Sequence, residues 1–126
     1  MLKDADVLTM LPVKDLKTAK KFYEEKLELK KIDEEPEGAV TYQSGSGKVT
    51  VYVSQFAGTN KGTAAAWNVK DVERTAKELK DKGITFEQYD NLPGVTRKGD
   101  IHQAGPMKLA WFKDPDGNIL SIGNMA

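Results

Sequence analysis

A chain of 126 residues is long enough for one domain, or for two half-size modules that share a core. It has no cysteine, which excludes disulfides, thiolate-bound zinc, iron–sulfur clusters and thiol nucleophiles. Lys+Arg and Asp+Glu balance at 19 each, so no basic excess recommends a nucleic acid or an anionic membrane as partner.

The N-terminal Met1-Leu2-Lys3-Asp4-Ala5-Asp6 carries acids and no long apolar run, unlike a secretory signal. No apolar stretch approaches the roughly 20 residues of a membrane span. A cytoplasmic setting is the expectation, and the lack of cysteine is compatible with it.

The first predicted strand is Val7–Leu11. Asp15 follows where an N-cap belongs, and Leu16, Ala19, Phe22, Tyr23 and Leu27 give the next segment helical spacing. Lys and Glu alternate over 17–30, which predicts a solvated helix face. Strands are predicted at Leu29–Asp33, Ala39–Gln43 and Val49–Gln55. Glu35-Pro36-Glu37-Gly38 and Ser44-Gly45-Ser46-Gly47 supply their turns. Gly45-Ser46-Gly47-Lys48 is superficially like a phosphate loop, but it lacks the upstream glycine and leads into a strand.

The plan then repeats. Val13-Lys14-Asp15-Leu16 returns as Val69-Lys70-Asp71-Val72, again after an apolar run, Ala64–Trp67, and before a helical pattern, Val72, Ala76 and Leu79, that ends at Gly83. Strands follow at Ile84–Tyr89, Lys108–Phe112 and Ile119–Ile122. The second half is longer around Asn91–Pro106, whose Pro93, Gly94, Gly99, Gly105 and Pro106 predict a loop, with a lid as one role for it. The fold class is therefore α+β: two βαβββ modules, 1–58 and 59–126, in one domain. Their helices cover one sheet face, and the bare faces curl around a cavity.

Two motifs carry a resemblance. Val13-Lys14-Asp15-Leu16 leads to Phe22-Tyr23, and Trp111-Phe112 leads to Asp114-Pro115-Asp116-Gly117-Asn118. Together they resemble the vicinal oxygen chelate superfamily, which includes glyoxalase I, bleomycin-resistance proteins and extradiol dioxygenases. Glu28 departs from the family pattern, which often has glycine there, and this suggests a different turn at that point within the same fold. The resemblance implies a divalent metal held by His or Glu on inner strand faces. Carried over residue by residue, the ligand positions fall on Leu8, Val51, Ala64 and Ser121. None is a good ligand for such an ion, so the expectation is a member with no metal and no other cofactor.

Strand alternation then assigns the inner wall. Leu8, Met10, Val51, Val53, Ala64, Ala66 and Ser121 are expected to face inward, with Gly123 next on that face. Thr9, Leu11, Tyr52, Trp67, Leu120 and Ile122 are expected to face the helices. The side taken by Trp111 is open; facing inward, it could stack on a ligand. The apolar, partly small inner set suits a small apolar or aromatic molecule held by burial, unless those side chains simply fill the space as core. His102, the sole histidine, falls in the inserted loop. It is either a general base at the cavity mouth, oriented by Asp100, or an exposed loop residue. Arg97 and Lys98 could hold an anionic group, and Glu87 is a further carboxylate. Of three functions, the apolar inner face and the missing ligands favour a metal-free small-molecule binder of the glyoxalase/bleomycin-resistance type; the alternatives are a metal-independent or relocated-metal lyase, isomerase or dioxygenase-like enzyme, and a structural protein with a filled cavity. The family resemblance implies a homodimer that pairs modules across chains.

Overall fold

The structure is a computed structural model that describes residues 1–124. The chain divides into two compact units, Met1–Thr59 and Asn60–Ala126.

In the first unit the strands are β1 (Thr9–Val13), β2 (Lys30–Glu35), β3 (Ala39–Ser44) and β4 (Gly47–Val53), in the sheet order β1-β4-β3-β2. Helix α1 (Leu16–Lys20) continues as a π-helical segment, Lys21–Lys26. It starts where Asp15 accepts from the Lys17 and Thr18 amides. The pairing of β1 with β4 is parallel, because α1 intervenes as a crossover. Alternation then decides the core. Leu11, Val13, Val40, Tyr42, Val49 and Val51 share the buried face, with Ala19, Phe22 and Tyr23 of the helical segment also buried. Each of the larger side chains contributes about 1.5–3 kcal/mol by leaving water. The Tyr42 hydroxyl donates to Glu24 at 2.8 Å. Burial, reinforced by that carboxylate, pushes the Tyr42 phenol well above its usual range. The edge strand β2 is exposed along its length, and its charged side chains discourage pairing with other chains.

The helical segment ends at Leu27, and Glu28 takes φ 57°, the left-handed conformation that glycine adopts most readily. A glycine here would adopt the same geometry without a Cβ to crowd it, so the turn expected from the departure at Glu28 is not a different one.

In the second unit, β5 (Thr63–Asn68), α2 (Val72–Asp81) and β6 (Phe86–Glu87) precede β7 (Thr96–Lys98), β8 (Ile101–Ala104), β9 (Met107–Lys113) and β10 (Ile119–Gly123). The sheet order is β5-β10-β9-β8-β7, and β6 also pairs with β9. Asp71 caps α2 by accepting from the Arg74 amide. Gly83, at φ 92°, closes it: the Gly83 amide donates to the Lys80 carbonyl and the Ile84 amide to the Leu79 carbonyl. Val72 and Ala76 of α2 are buried, as are Phe86, Ala110, Phe112, Leu120 and Ile122 on one face of the sheet. The Phe86 and Phe112 rings meet edge to face at 5.6 Å.

The segment over 91–106 is not the expected loop. It contains the hairpin β7–β8, which extends the sheet through β8 and β9. Gly99-Asp100 and Gly105-Pro106 are two-residue turns between the paired ends Lys98↔Ile101 and Ala104↔Met107.

Candidate functional site

The signature turn is a structural device. Asp114 is buried, and its Oδ1 accepts from the Asp116 and Asn118 amides, both at 2.9 Å. Its Oδ2 accepts from Asn118 Nδ2 at 2.8 Å. The Asp114 amide donates to the Asn118 carbonyl, which closes β9 onto β10. That closure sets the register Ser121↔Trp111 and Leu120↔Phe112. Phe112 and Leu120 lie on the helix-packed face, so Ser121 and Trp111 lie on the opposite one. This settles the side taken by Trp111.

Register also separates the expected inner-wall residues of the first unit. Thr9 and Leu11 share a side with Val49 and Val51, as do Val13 and Val53. Val51 is wholly buried there, in the core beneath the helix, while Val53 is half exposed at the strand end. Met10 lies on the other side with Thr50, and Tyr52 shares that open side with Pro12 and Ala39. Val51 and Val53 therefore face opposite to expectation, and so does Tyr52. The reason is that Gly47 is already a strand residue paired with Ser44, whereas Gly117 sits in its turn two residues before β10. Counting four residues onward from each glycine does not reach equivalent places. Ser121 pairs with Ala66 as Thr50 pairs with Met10, so Thr50 is the counterpart of Ser121. Its hydroxyl hydrogen-bonds the Thr41 hydroxyl at 2.8 Å. Leu8 precedes β1 and is partly exposed.

In the second unit, Trp67, Leu120 and Ile122 share the helix side, as expected. Ala66 and Ser121 are neighbours on the open side, and Ala64 is the unpaired residue of a bulge between Thr63 and Ala65.

His102 is the largest departure. It is neither in a loop nor exposed: it lies in β8, pairs with Leu109 and has no solvent-accessible surface. Its Nε2 accepts from the Tyr89 amide at 2.9 Å. Its ring meets Trp111 edge to face at 4.8 Å and Tyr89 at 5.7 Å, and the Tyr89 and Trp111 rings lie 5.4 Å apart. Trp111 and Tyr89 are each only partly buried. The Trp111 Nε1–H donates to Thr63 Oγ1 at 3.1 Å, which fixes the indole plane. Burial, then the Glu87 carboxylate, raises the Tyr89 phenol above its ordinary value, with Lys113 opposing.

The charged residues around this cluster are engaged elsewhere. Asp100 does not orient His102; it accepts from Lys80 and Gln88, both at 3.1 Å. Burial pushes the Asp100 carboxyl up, but those hydrogen bonds outweigh it and hold the carboxyl below its usual range. The Arg97 guanidinium grips Asp90 at 2.7 and 3.2 Å and donates to the Gly99 carbonyl. The hydrogen bond between them raises Arg97 and lowers Asp90. Glu87 pairs with Lys113 at 3.5 Å. Lys98, Arg97 and Lys108 instead line an open groove of about 670 Å³ with Glu73 of α2, and Lys108 is paired to Glu73.

Among the described residues no three of His, Cys, Asp and Glu come together as a metal site. The positions carried over from the family's ligands present aliphatic side chains and one hydroxyl at Ser121, with Thr50 as the structural counterpart in the first unit. This donor set does not fit a divalent ion.

Two units built on the βαβββ plan, the second closed by the Asp-Pro-Asp-Gly-Asn turn between β9 and β10 and carrying the aromatic cluster, define an α+β protein of the glyoxalase type. The profile of the Glyoxalase/Bleomycin resistance protein/Dioxygenase superfamily matches residues 7–122, and the chain belongs to that family. No curated protein matches its sequence. Among solved structures, lactoylglutathione lyase from Agrobacterium tumefaciens is similar at TM-score 0.70 and 18% identity, over 95% of this chain and 92% of that one. TnmS3, an antibiotic binding protein from Streptomyces sp. CB03234, is similar at TM-score 0.68 and 21% identity, over 97% and 96%. A glyoxalase/bleomycin resistance protein from the same Streptomyces gives TM-score 0.63 and 20% identity, over 94% and 98%. At these identities the likeness is one of fold.

Sequence reasoning missed Tyr89 as a site residue and misplaced His102. A usable signal was present: Gly99-Asp100 between Thr96-Arg97-Lys98 and Ile101-His102-Gln103 is a two-residue hairpin pattern.

Proposed function

We propose that this protein binds a small planar molecule, largely apolar or aromatic, without a metal. The observation that carries the reading is the pair of partly buried rings, Trp111 and Tyr89, over His102 on the sheet face away from α2. A planar ligand laid against them gains about 25 cal/mol for each Å² of apolar surface removed from water, and aromatic contact adds about 0.5–1.5 kcal/mol. Ser121, paired with Trp111 and buried, and Ala66, exposed beside it, are small side chains on that face. The side chains at the ligand positions, Leu8, Ala64 and Ser121 with Thr50 as the counterpart of Ser121, support a metal-free mode, and TnmS3 is a fold relative described as an antibiotic binding protein.

The test is a thermal-shift screen with planar aromatic compounds, repeated on Trp111→Ala. Binding to the folded state raises the apparent Tm, and the variant is expected to lose most of that rise. A rise unchanged in Trp111→Ala contradicts the reading. Protein purified without chelator is expected to hold no stoichiometric divalent ion, and one tight ion per chain contradicts the metal-free mode.

A metal-independent enzyme of the same superfamily is the second reading. It is favoured by one observation, the buried His102 ring nitrogen that has no partner and could exchange a proton with substrate. Loss of turnover with retained binding in His102→Ala supports it.

Assembly as a homodimer in the cytoplasm completes the proposal. Val7, Leu8, Met10, Val53 and Phe56 leave exposed apolar surface on the first unit that a second copy would cover. Sedimentation is expected to give the mass of two chains; a monomer at all concentrations contradicts it.

A further inference from the structure

His102 is the one histidine of the chain, and its two ring nitrogens are used unequally. Nε2 accepts the Tyr89 amide hydrogen at 2.9 Å, so that nitrogen carries no proton and the ring proton sits on Nδ1. Nδ1 is buried and has no hydrogen-bond partner. A donor stripped of water and given nothing in return is costly, and native structures rarely leave one so. The neighbouring acceptors do not serve it. Asp100 is bonded to Lys80 and Gln88, Asp90 to Arg97, and Glu87 is paired with Lys113. Arg97, directly across the hairpin from His102, offers only donors.

We infer that the His102 Nδ1–H is the hydrogen-bond donor for the bound molecule. The site would then take a planar aromatic that carries a ring-edge acceptor such as a carbonyl, in preference to the same skeleton without one. This rests on the aromatic-binding reading above and narrows it to a ligand class. Access comes from the Tyr89 ring. Its main chain is pinned by the amide bond to Nε2, but the side chain is partly exposed, and its hydroxyl has no hydrogen-bond partner among the described residues. Rotation of that ring uncovers His102 without breaking the bond that sets the tautomer. Trp111, tethered to Thr63, stays as the fixed wall. Ligand entry therefore exchanges a ring–ring contact for a ring–ligand contact and satisfies a donor that the closed form leaves empty.

The test uses fluorenone and fluorene, which share a planar skeleton and differ by one carbonyl. In protein labelled with 15N-histidine, the single imidazole gives one pair of ring-nitrogen signals. The free protein is expected to show a protonated Nδ1 and an unprotonated Nε2. Fluorenone is expected to move the Nδ1 signal and to bind about tenfold more tightly than fluorene, a difference of about 1.4 kcal/mol. His102→Phe, which keeps a flat ring and removes the donor, is expected to bring the two affinities together. Equal affinities in the parent protein with Nδ1 unmoved overturn the inference and leave aromatic binding standing. Failure of both compounds to bind overturns the aromatic-binding reading and the inference with it. An Nε2-protonated tautomer in the free protein overturns the inference outright. The spectrum of the parent protein decides even if His102→Phe does not fold.

Discussion

Glu28 occupies a position that geometry reserves for glycine. Its left-handed φ of 57° costs a residue with a Cβ about 1–2 kcal/mol, part of which glycine returns as extra freedom in the unfolded chain. Glu28→Gly is expected to stabilise the protein by about 0.5–1 kcal/mol in denaturant titration, given those two opposing terms. An unchanged or lowered midpoint contradicts the strain. The departure from glycine suggested a different turn, yet Glu28 keeps the left-handed conformation that glycine favours, so the residue type alone misled. His102 was not legible either. One histidine among glycines and charges has the composition of a loop, and nothing local in 99–105 announces that Trp111 and Tyr89 close over it. Burial of a polar ring is decided by residues far along the chain, and alternation in a four-residue strand is too short a pattern to reveal it.

At the level of elements, caps and turns were the readable part. Asp15 and Asp71 start their helices and Gly83 closes the second by local hydrogen bonds, and local chemistry is what a sequence states most directly. Strand faces were less so. A face assignment depends on a count, and a count from the wrong starting point inverts every side chain that follows. The first unit displays this. Val51 belongs to the core with Leu11, while Met10 and Thr50 share the open side. The difference is measurable. Val51→Ala is expected to cost about 2–3 kcal/mol, from lost burial and the cavity left behind. Met10→Ala, half exposed on the other side, is expected to stay within about 1 kcal/mol. The opposite ranking in equilibrium unfolding would reverse the register. The hairpin over 96–104 was the other missed element. Its two-residue Gly-Asp turn was present, but proline and glycine around it gave the segment the composition of a loop.

For the whole molecule, the two βαβββ units and the family they define were carried by motifs that do structural work: a helix cap repeated in each half and a carboxylate that knots the last turn. Those motifs set the scaffold and say little about what it holds, because the ligand chemistry depends on what the open faces carry. On the second unit that face carries rings and a buried donor rather than a metal's ligands. The most direct test follows the two indole N–H signals, one each from Trp67 and Trp111, while a planar aromatic compound that stabilises the protein is titrated in. Trp67 lies on the helix side of its sheet and Trp111 on the open side. The expected result is a saturable shift of the Trp111 signal with Trp67 little changed. A ligand that stabilises the protein yet leaves the Trp111 signal in place would contradict the account.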